Sequence, residues 1–395
     1  MASRRARSTG RRRDSISGGP ERRPAIVAAI EERYCRHPDE SVTTESLLAA
    51  AFGAVTRQAG VARGEVDGLG VASFTLVPDR AIDLAWKLGL RLRWVMDDGN
   101  GGASGIQLLQ HAMRAVESGD ASTVVLLAAD RFDRSSFRAL TDHYNRVTER
   151  YLTSIPTGGP NALFAMLTRL QMRRHGLERA DYGRVATAQR RWATLNPGAV
   201  YRQPLSLAQY LEAPAVAPPL HRYDCVPVVS GADALVVRAD ECGVVVRAIG
   251  ACHNVDLQDG DGLSTGLRVV APRLFDEAGR DPEEMDVISV YDDYPAMVLA
   301  QLADLGYAPD GDLRRLAARL DDGSLAVNTS GGQLSAGQAG AAGGMHGLVE
   351  VVGQLLRRAG RRQLPDARLG LVTGYGMVLY RYGGCANAVV LEARR

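Results

Sequence analysis

The stretch DDGNGGASGIQLLQHAMRAVESGDASTVVLLAAD, residues 97–130, decides the fold. A glycine-rich turn, Gly99-Asn100-Gly101-Gly102, runs into a segment where Ile106, Leu109, Met113 and Val116 recur at helical spacing. Ser118-Gly119-Asp120 stops that helix, and the apolar run from Thr123 to Ala129 reads as a strand buried on both faces. Glycines before a helix let the backbone bend sharply, so unpaired N–H groups can face a ligand oxygen. The same small residues would let a helix end pack against a neighbouring backbone. The stretch alone leaves both readings open.

Upstream, Ala25 to Ile30 is a first strand, and a helix over 46–59 is capped from Val42-Thr43-Thr44. A helix end, a turn and a second strand follow in QAGVARGEVDGLGVA (58–72). The same grammar returns in FDEAGRDPEEMDVISV (275–290). A second echo keeps register with the first. Asn328-Thr329-Ser330-Gly331-Gly332 leads through more glycines into a helix over 345–358, then a strand over 369–373. Two similarly built halves predict an internally duplicated α/β fold with mostly parallel strands, joined near 238–250. Residues 24–245 form the first half and 246–395 the second. The first half carries an insertion of about 132–226, rich in Arg and Tyr, with helical segments over 161–175 and 181–195. Such an insertion serves as a lid or substrate wall, or as extra packing or an oligomer contact.

The whole chain, 395 residues with a net charge of +2, has the composition of an ordinary globular protein. Its first 23 residues differ: eight arginines through Arg23 face only Asp14 and Glu21, and Ile16 is the one large apolar side chain. This segment lacks a secretory apolar run and reads as a disordered leader, solvated rather than bound to nucleic acid or membrane. No run is long and apolar enough to span a bilayer. Five cysteines, odd in number and outside metal-ligand spacing, indicate a reduced, cytoplasmic protein without a metal site.

These stretches together resemble the thiolase superfamily, in particular its lipid-transfer-protein, or sterol-carrier, branch. Gly101-Gly102-Ala103-Ser104-Gly105-Ile106-Gln107 is similar to the thiolase nucleophile loop, Cys-Ala-Ser-Gly-Leu-Gln. Asn196-Pro197-Gly198-Ala199 through Pro218-Pro219-Leu220 and Ser230-Gly231-Ala232-Asp233-Ala234 resemble that branch's middle segment. Tyr291-Asp292-Asp293-Tyr294 falls where thiolases carry Asn-Glu-Ala-Phe or His-Asp-Cys-Phe, and Asn328 to Gly332 matches the Asn-x-Ser-Gly-Gly loop. The resemblance implies a thiolase fold: two βαβαβαββ halves in a five-layered α/β sandwich, usually a homodimer.

The chemistry departs from the family pattern. Gly102 stands at the position of the acyl-accepting cysteine, and Ser104 matches the pattern's serine two places on. Gln338 stands where the base histidine would be, and Gly374 to Tyr382 fills the region of the late cysteine, with Cys385 past it. Acyl transfer through the enzyme needs a thiolate and a base of suitable pKa, which Gly and Gln do not supply. What remains is a carbonyl-polarising pocket, with backbone N–H groups near Gly102 and Gly376 as the oxyanion hole. Tyr291, at the strand end, is the first candidate to move a proton. Gln338, His346 and Tyr375 are further catalytic candidates, and Ser104, Asn328 and Tyr380 candidate substrate contacts; Tyr294 reads as core.

The branch lacking the cysteine includes aldolases that split β-hydroxyacyl-CoA thioesters, such as those from steroid side chains, in complex with a small OB-fold, zinc-ribbon protein. The resemblance therefore implies a C–C lyase acting on an acyl-CoA thioester, with CoA as part of the substrate and no tightly bound cofactor. Those aldolases have a tyrosine where this chain has Gln338, and an amide cannot move a proton at neutral pH. An acyltransferase or condensing enzyme working with a partner subunit, and a non-catalytic thioester-binding or scaffolding subunit, are the alternatives.

Overall fold

The computed structural model describes residues 23–394 apart from 144–145, 153, 155–158, 256, 258 and 380–381. The arginine-rich leader expected over 1–23 lies outside the described residues except for Arg23. The first half begins with β1 (Pro24–Cys35), α1 (Thr44–Ala59), β2 (Gly68–Ala72), α2 (Ala81–Leu88), β3 (Trp94–Asp98), α3 (Ser104–Ser118) and β4 (Thr123–Asp130). Thr43 caps α1 in a reciprocal box with Ser46, as the sequence Val42-Thr43-Thr44 predicts. The insertion then forms α4 (Arg134–Asp142), α5 (Pro160–His175), α6 (Arg179–Ala193), α7 (Leu207–Glu212) and a hairpin of β5 (Ala215–Ala217) and β6 (Leu220–His221). β7 (Ser230–Ala239) returns to the main sheet.

After a turn come β8 (Gly243–His253), α8 (Leu267–Ala278), β9 (Val287–Ser289), α9 (Pro295–Asp304) and α10 (Leu313–Asp321). They are followed by α11 (Gly332–Ala336), α12 (Gly343–Leu355), β10 (Leu369–Leu379) and β11 (Tyr382–Arg394). The main sheet runs β3-β2-β4-β7-β1-β8-β11-β10-β9. Its two parts have the same internal order: the second, fourth, fifth and first strands of each half lie side by side. In the second half the third strand shrinks to a bridge between Ile288 and Val327. The first strands of the halves meet at Ile26 and Val244.

The expectation of mostly parallel strands holds for direction within each half and fails for neighbour pairing. β7 and β11 each run against their half's other strands, so β4–β7, β7–β1, β8–β11 and β11–β10 are antiparallel ladders. Among the described residues, parallel pairing is confined to β2–β3, β2–β4 and β9–β10 and to isolated bridges.

The alternation of β4 sets the layers. Val125, Leu127 and Ala129 face α1 and α2, where Leu48, Phe52 and Leu84 meet them. Val124, Leu126 and Ala128 face the opposite way, onto a core with Ile106 and Leu109 of α3 and Met345 and Leu348 of α12. On the far side of the second half's part of the sheet Leu371 and Val390 pack with Leu274, Val298 and Leu316 of α8, α9 and α10. Helix, sheet, helix, sheet, helix gives the five layers expected from the resemblance. No helix among the described residues is long and apolar enough to cross a membrane.

Candidate active site

The two glycine-rich helix starts meet back to back in the central layer. A β-carbon on Gly105 would lie 2.2 Å from the Gly344 carbonyl oxygen, and one on Gly344 would lie 2.5 Å from that of Gly101. Close packing thus accounts for some of these glycines. Gly102 has a different neighbourhood, because it lines a cavity of about 200 Å³ together with Gly376, Tyr291, Asp293, Gln338 and Tyr375. A β-carbon on Gly102 would fall 2.2 Å from the Tyr375 carbonyl oxygen and 2.4 Å from Cε2 of Tyr291. The Tyr291 ring therefore occupies the space that a nucleophile side chain at 102 would need.

Tyr291 emerges two residues beyond β9, and buried polar groups hold its backbone. Its N–H donates to Thr373 Oγ1 at 3.1 Å, and its carbonyl accepts from Gln301 Nε2 at 2.6 Å. Thr373 donates in turn to Gln301 Oε1 at 2.7 Å, so β10 and α9 together fix the strand end. Gln338 Nε2 donates to the Tyr291 hydroxyl at 3.1 Å and approaches Asp293 Oδ2 at 3.4 Å. The Gln338 loop is itself clamped, its N–H donating to Pro227 O and its carbonyl accepting from Val229 N.

Asp293 is a candidate that the sequence reading did not single out. Burial, then the neighbouring charge of Asp292, pushes its carboxyl up to about 7, with a hydrogen bond from Tyr291 opposing them. Its Oδ1 is buried without a hydrogen-bond partner. A carboxyl poised near neutrality beside a phenol is the environment general acid–base chemistry requires. Asp292 is pushed up to about 7 as well, first by burial. It faces away and accepts from the backbone N–H groups of Gln333 and Leu334 at 2.9 and 3.2 Å, anchoring α11.

Not all the expected site residues gather at the cavity. Ser104 is fully buried and donates its hydroxyl to Asp98. Asn328 is buried with φ +52°, and its Oδ1 accepts from Val290 N at 2.9 Å and Ser289 Oγ at 3.2 Å. It ties down the strand that carries Tyr291. Tyr375 forms a cavity wall, but its hydroxyl accepts from Gly383 N at 2.6 Å across the β10–β11 hairpin. Tyr294 is the core residue expected, stacked on Phe164 and donating to Asn161 Oδ1 at 2.8 Å, with its edge on the cavity. Tyr380 lies outside the described residues. Cys385 pairs with Gly376 across the hairpin and does not line the cavity.

His346 belongs to a separate buried network. Its Nε2 meets Ser330 Oγ at 2.7 Å, and its Nδ1 meets Glu31 at 3.0 Å and the Tyr34 hydroxyl at 3.3 Å. Tyr34 donates to Asp233 Oδ2 at 2.8 Å. Burial disfavours the imidazolium, yet Glu31, Asp233 and Asp292 outweigh it and push His346 up to about 9. The sequence reading found no metal-ligand set, but the fold brings one donor atom each of Glu31, Asp233 and His346 within 4.8 Å of one another. As an ion-pair network it joins β1 and β7 to α12, across the two halves.

Comparison with known proteins follows the same lines. The family model for thiolase C-terminal domain-like proteins matches residues 250–385. The chain is 30% identical over 362 residues to a steroid side-chain-cleaving aldolase of Thermomonospora curvata, covering 83% of this chain and 89% of that one. It is 30% identical over 328 residues to a 17-hydroxy-3-oxo-4-pregnene-20-carboxyl-CoA lyase of Mycobacterium tuberculosis, covering 75% and 82%. Among solved structures, the Ltp2-ChsH2(DUF35) aldolase superposes with a TM-score of 0.80 at 25% identity, over 95% of this chain and 98% of its own.

Proposed function

The chain belongs to the thiolase superfamily, and from that premise we propose that it is a lyase that breaks a carbon–carbon bond of a CoA thioester without a covalent cysteine intermediate, by retro-aldol cleavage of a β-hydroxyacyl-CoA. The observation that supports this reading is the Tyr291 ring in the space a side chain at 102 would need, with Asp293 and Gln338 at its hydroxyl. Retro-aldol cleavage needs a base at the β-hydroxyl and a stabiliser for the enolate oxygen. The ionised Asp293 draws the Tyr291 proton as the phenol oxygen takes the proton of the substrate hydroxyl. The C2–C3 bond breaks, its electron pair enters the thioester carbonyl, and the backbone around Gly102 and Gly376 stabilises the resulting oxyanion. Return of the proton held by Asp293 and Tyr291 to C2 then releases an acyl-CoA and a carbonyl product and resets the site. Gln338 does not titrate; it orients the phenol.

Acyl transfer through a thiolate fits the site less well. Cys225, the thiol lining the cavity, is pushed up to about 12, first by burial, and the thiol of Cys385 is raised by burial too. CoA enters as part of the substrate. A small OB-fold, zinc-ribbon partner is part of the proposal, supported by the two-protein aldolase to which this fold is similar. So is a homodimer. β3 is an edge strand, and Ile82, Trp86 and Val95 on α2 and β3 expose apolar area that a second copy would cover. The test is cleavage of a β-hydroxyacyl-CoA by wild type and by Asp293→Asn. Release of an aldehyde or ketone that the variant lacks supports the lyase, whereas an acyl-enzyme adduct in intact-protein mass spectra would replace it with a transferase.

A further inference from the structure

The cavity that holds Tyr291 also limits what the substrate can carry at its β-carbon. Its volume is about 200 Å³. An engineered protein cavity of about 150 Å³ accepts benzene. Pockets for larger, drug-sized ligands span roughly 300–1,000 Å³. The space here thus holds one ring beside the reacting atoms.

Away from Asp293 and Gln338 the walls are largely aromatic and apolar, and packing and hydrogen bonds hold them. Phe164 and Tyr294 stack with ring centroids 4.5 Å apart and an interplanar angle of 20°, presenting a flat aromatic edge to the cavity. Tyr294 cannot swing aside without losing its bond to Asn161, and Phe164 is 2% exposed in the core that includes Leu167 and Val185. On another side Phe137 is braced edge-on by buried Phe132, at 5.5 Å and 85°. Val228 adds a further wall, its backbone bridged to Gln338. A fused polycyclic group would have to displace Phe164 from a packed core, and interiors resist such overpacking. A single planar ring meets aromatic faces in the offset or edge-on geometries that such rings favour.

We propose that the pocket selects β-hydroxyacyl-CoA thioesters whose β-substituent is a single ring, aromatic rings foremost, and excludes fused-ring substituents. This inference rests on the lyase reading for its chemistry and on the cavity alone for its selectivity. In the reaction the ring leaves on the carbonyl product, an aryl aldehyde or ketone, and the acyl-CoA retains the two electrons of the broken C2–C3 bond and gains a proton at C2.

Two measurements keep the two claims apart. Calorimetric binding of 3-phenylpropanoyl-CoA, which has no β-hydroxyl and cannot be cleaved, is compared with a steroid-carboxyl-CoA, using the full chain with any co-purifying partner. The phenyl thioester should bind at least about 10-fold more tightly, within the range one apolar pocket can discriminate. Phe164→Ala, or Phe137→Ala should the first variant fail to fold, should narrow that ratio by a similar factor. Equal or tighter binding of the steroid thioester by wild type overturns the pocket inference whatever the chemistry. Turnover of 3-hydroxy-3-phenylpropanoyl-CoA is followed separately by benzaldehyde release. Tight phenyl-thioester binding without benzaldehyde would support the pocket and overturn the lyase.

Discussion

Gly102 and Tyr291 share one space: a β-carbon on the first would lie 2.4 Å from Cε2 and 2.5 Å from Cζ of the second. No real side chain tolerates such a separation, so any residue larger than glycine at 102 must displace the ring and also relieve a 2.2 Å approach to the Tyr375 carbonyl oxygen.

A cysteine placed at 102 should therefore not confer thiolase chemistry. Gly102→Cys is expected to push Tyr291 off Gln338 and Asp293, cutting lyase turnover at least about 10²-fold, the lower span of a lost acid–base group. Overpacking of this kind typically costs about 1–3 kcal/mol of stability. Intact-protein mass spectrometry after incubation with acetyl-CoA should show no acyl adduct; a stoichiometric adduct would show that the site still supports covalent transfer.

The pH dependence should report Asp293. Its carboxyl is raised to about 7, first by burial, and the proposed base is the ionised form, so turnover should rise with pH through about 7 and level off above. Asp293→Asn should abolish that limb along with most of the turnover. The sign for stability is opposite. A group whose folded pKa is raised holds its proton more tightly in the native state, so its contribution is lost as pH rises from about 4 through 7. The melting temperature of Asp293→Asn should thus exceed wild type by more at pH 8 than at pH 5; the reverse order would remove Asp293 from a buried, raised environment.

His346 should behave as a stability residue. Its imidazole is raised to about 9, so its stabilisation is complete below about 6.5 and is lost as pH passes 9. His346→Gln removes the cation that the half-buried Glu31 and the buried Asp233 face, a loss of up to about 3–5 kcal/mol. Chemical denaturation should show that loss at pH 6 and much less of it at pH 10. Turnover per folded molecule should be within about twofold of wild type, because His346 does not line the cavity; a large loss of kcat with unchanged stability would return it to the catalytic set.

Thiol alkylation should be harmless. Cys35 and Cys242 are exposed, whereas Cys225 beside the site is pushed up to about 12, first by burial. Iodoacetamide at pH 7.5 should label the first two and leave turnover intact. Rapid inactivation that substrate prevents would place a reactive thiol in the mechanism.

Local pattern made the scaffold legible. The helical spacing of Ile106 and Leu109, the capping Thr43 and the unbroken apolar run of β4 each determine their own conformation, and the repeated grammar around Asp67 and Asp286 marks the duplication. The site was legible only in part. Tyr291 could be placed because it follows an apolar strand whose end must open at the sheet edge. Asp293 gave a signal too, two adjacent carboxylates between tyrosines just past a buried strand, but which one faces the cavity depends on where α11 offers its N–H groups. Ser104 and His346 took other roles through partners that sequence does not reveal: Asp98 for the first, Glu31 and Tyr34, more than 300 residues away, for the second.

The most direct test is Tyr291→Phe. The substitution keeps the ring above Gly102 and removes only the hydroxyl that meets Gln338, so stability should change by about 1 kcal/mol or less. If the phenol moves the proton, kcat on a competent β-hydroxyacyl-CoA, with any partner present, should fall about 10²- to 10⁴-fold. Tyr294→Phe, which loses only its bond to Asn161, should be milder. A Tyr291→Phe enzyme that turns over as fast as wild type would contradict the account and leave Tyr291 as a residue that merely fills the space beside Gly102.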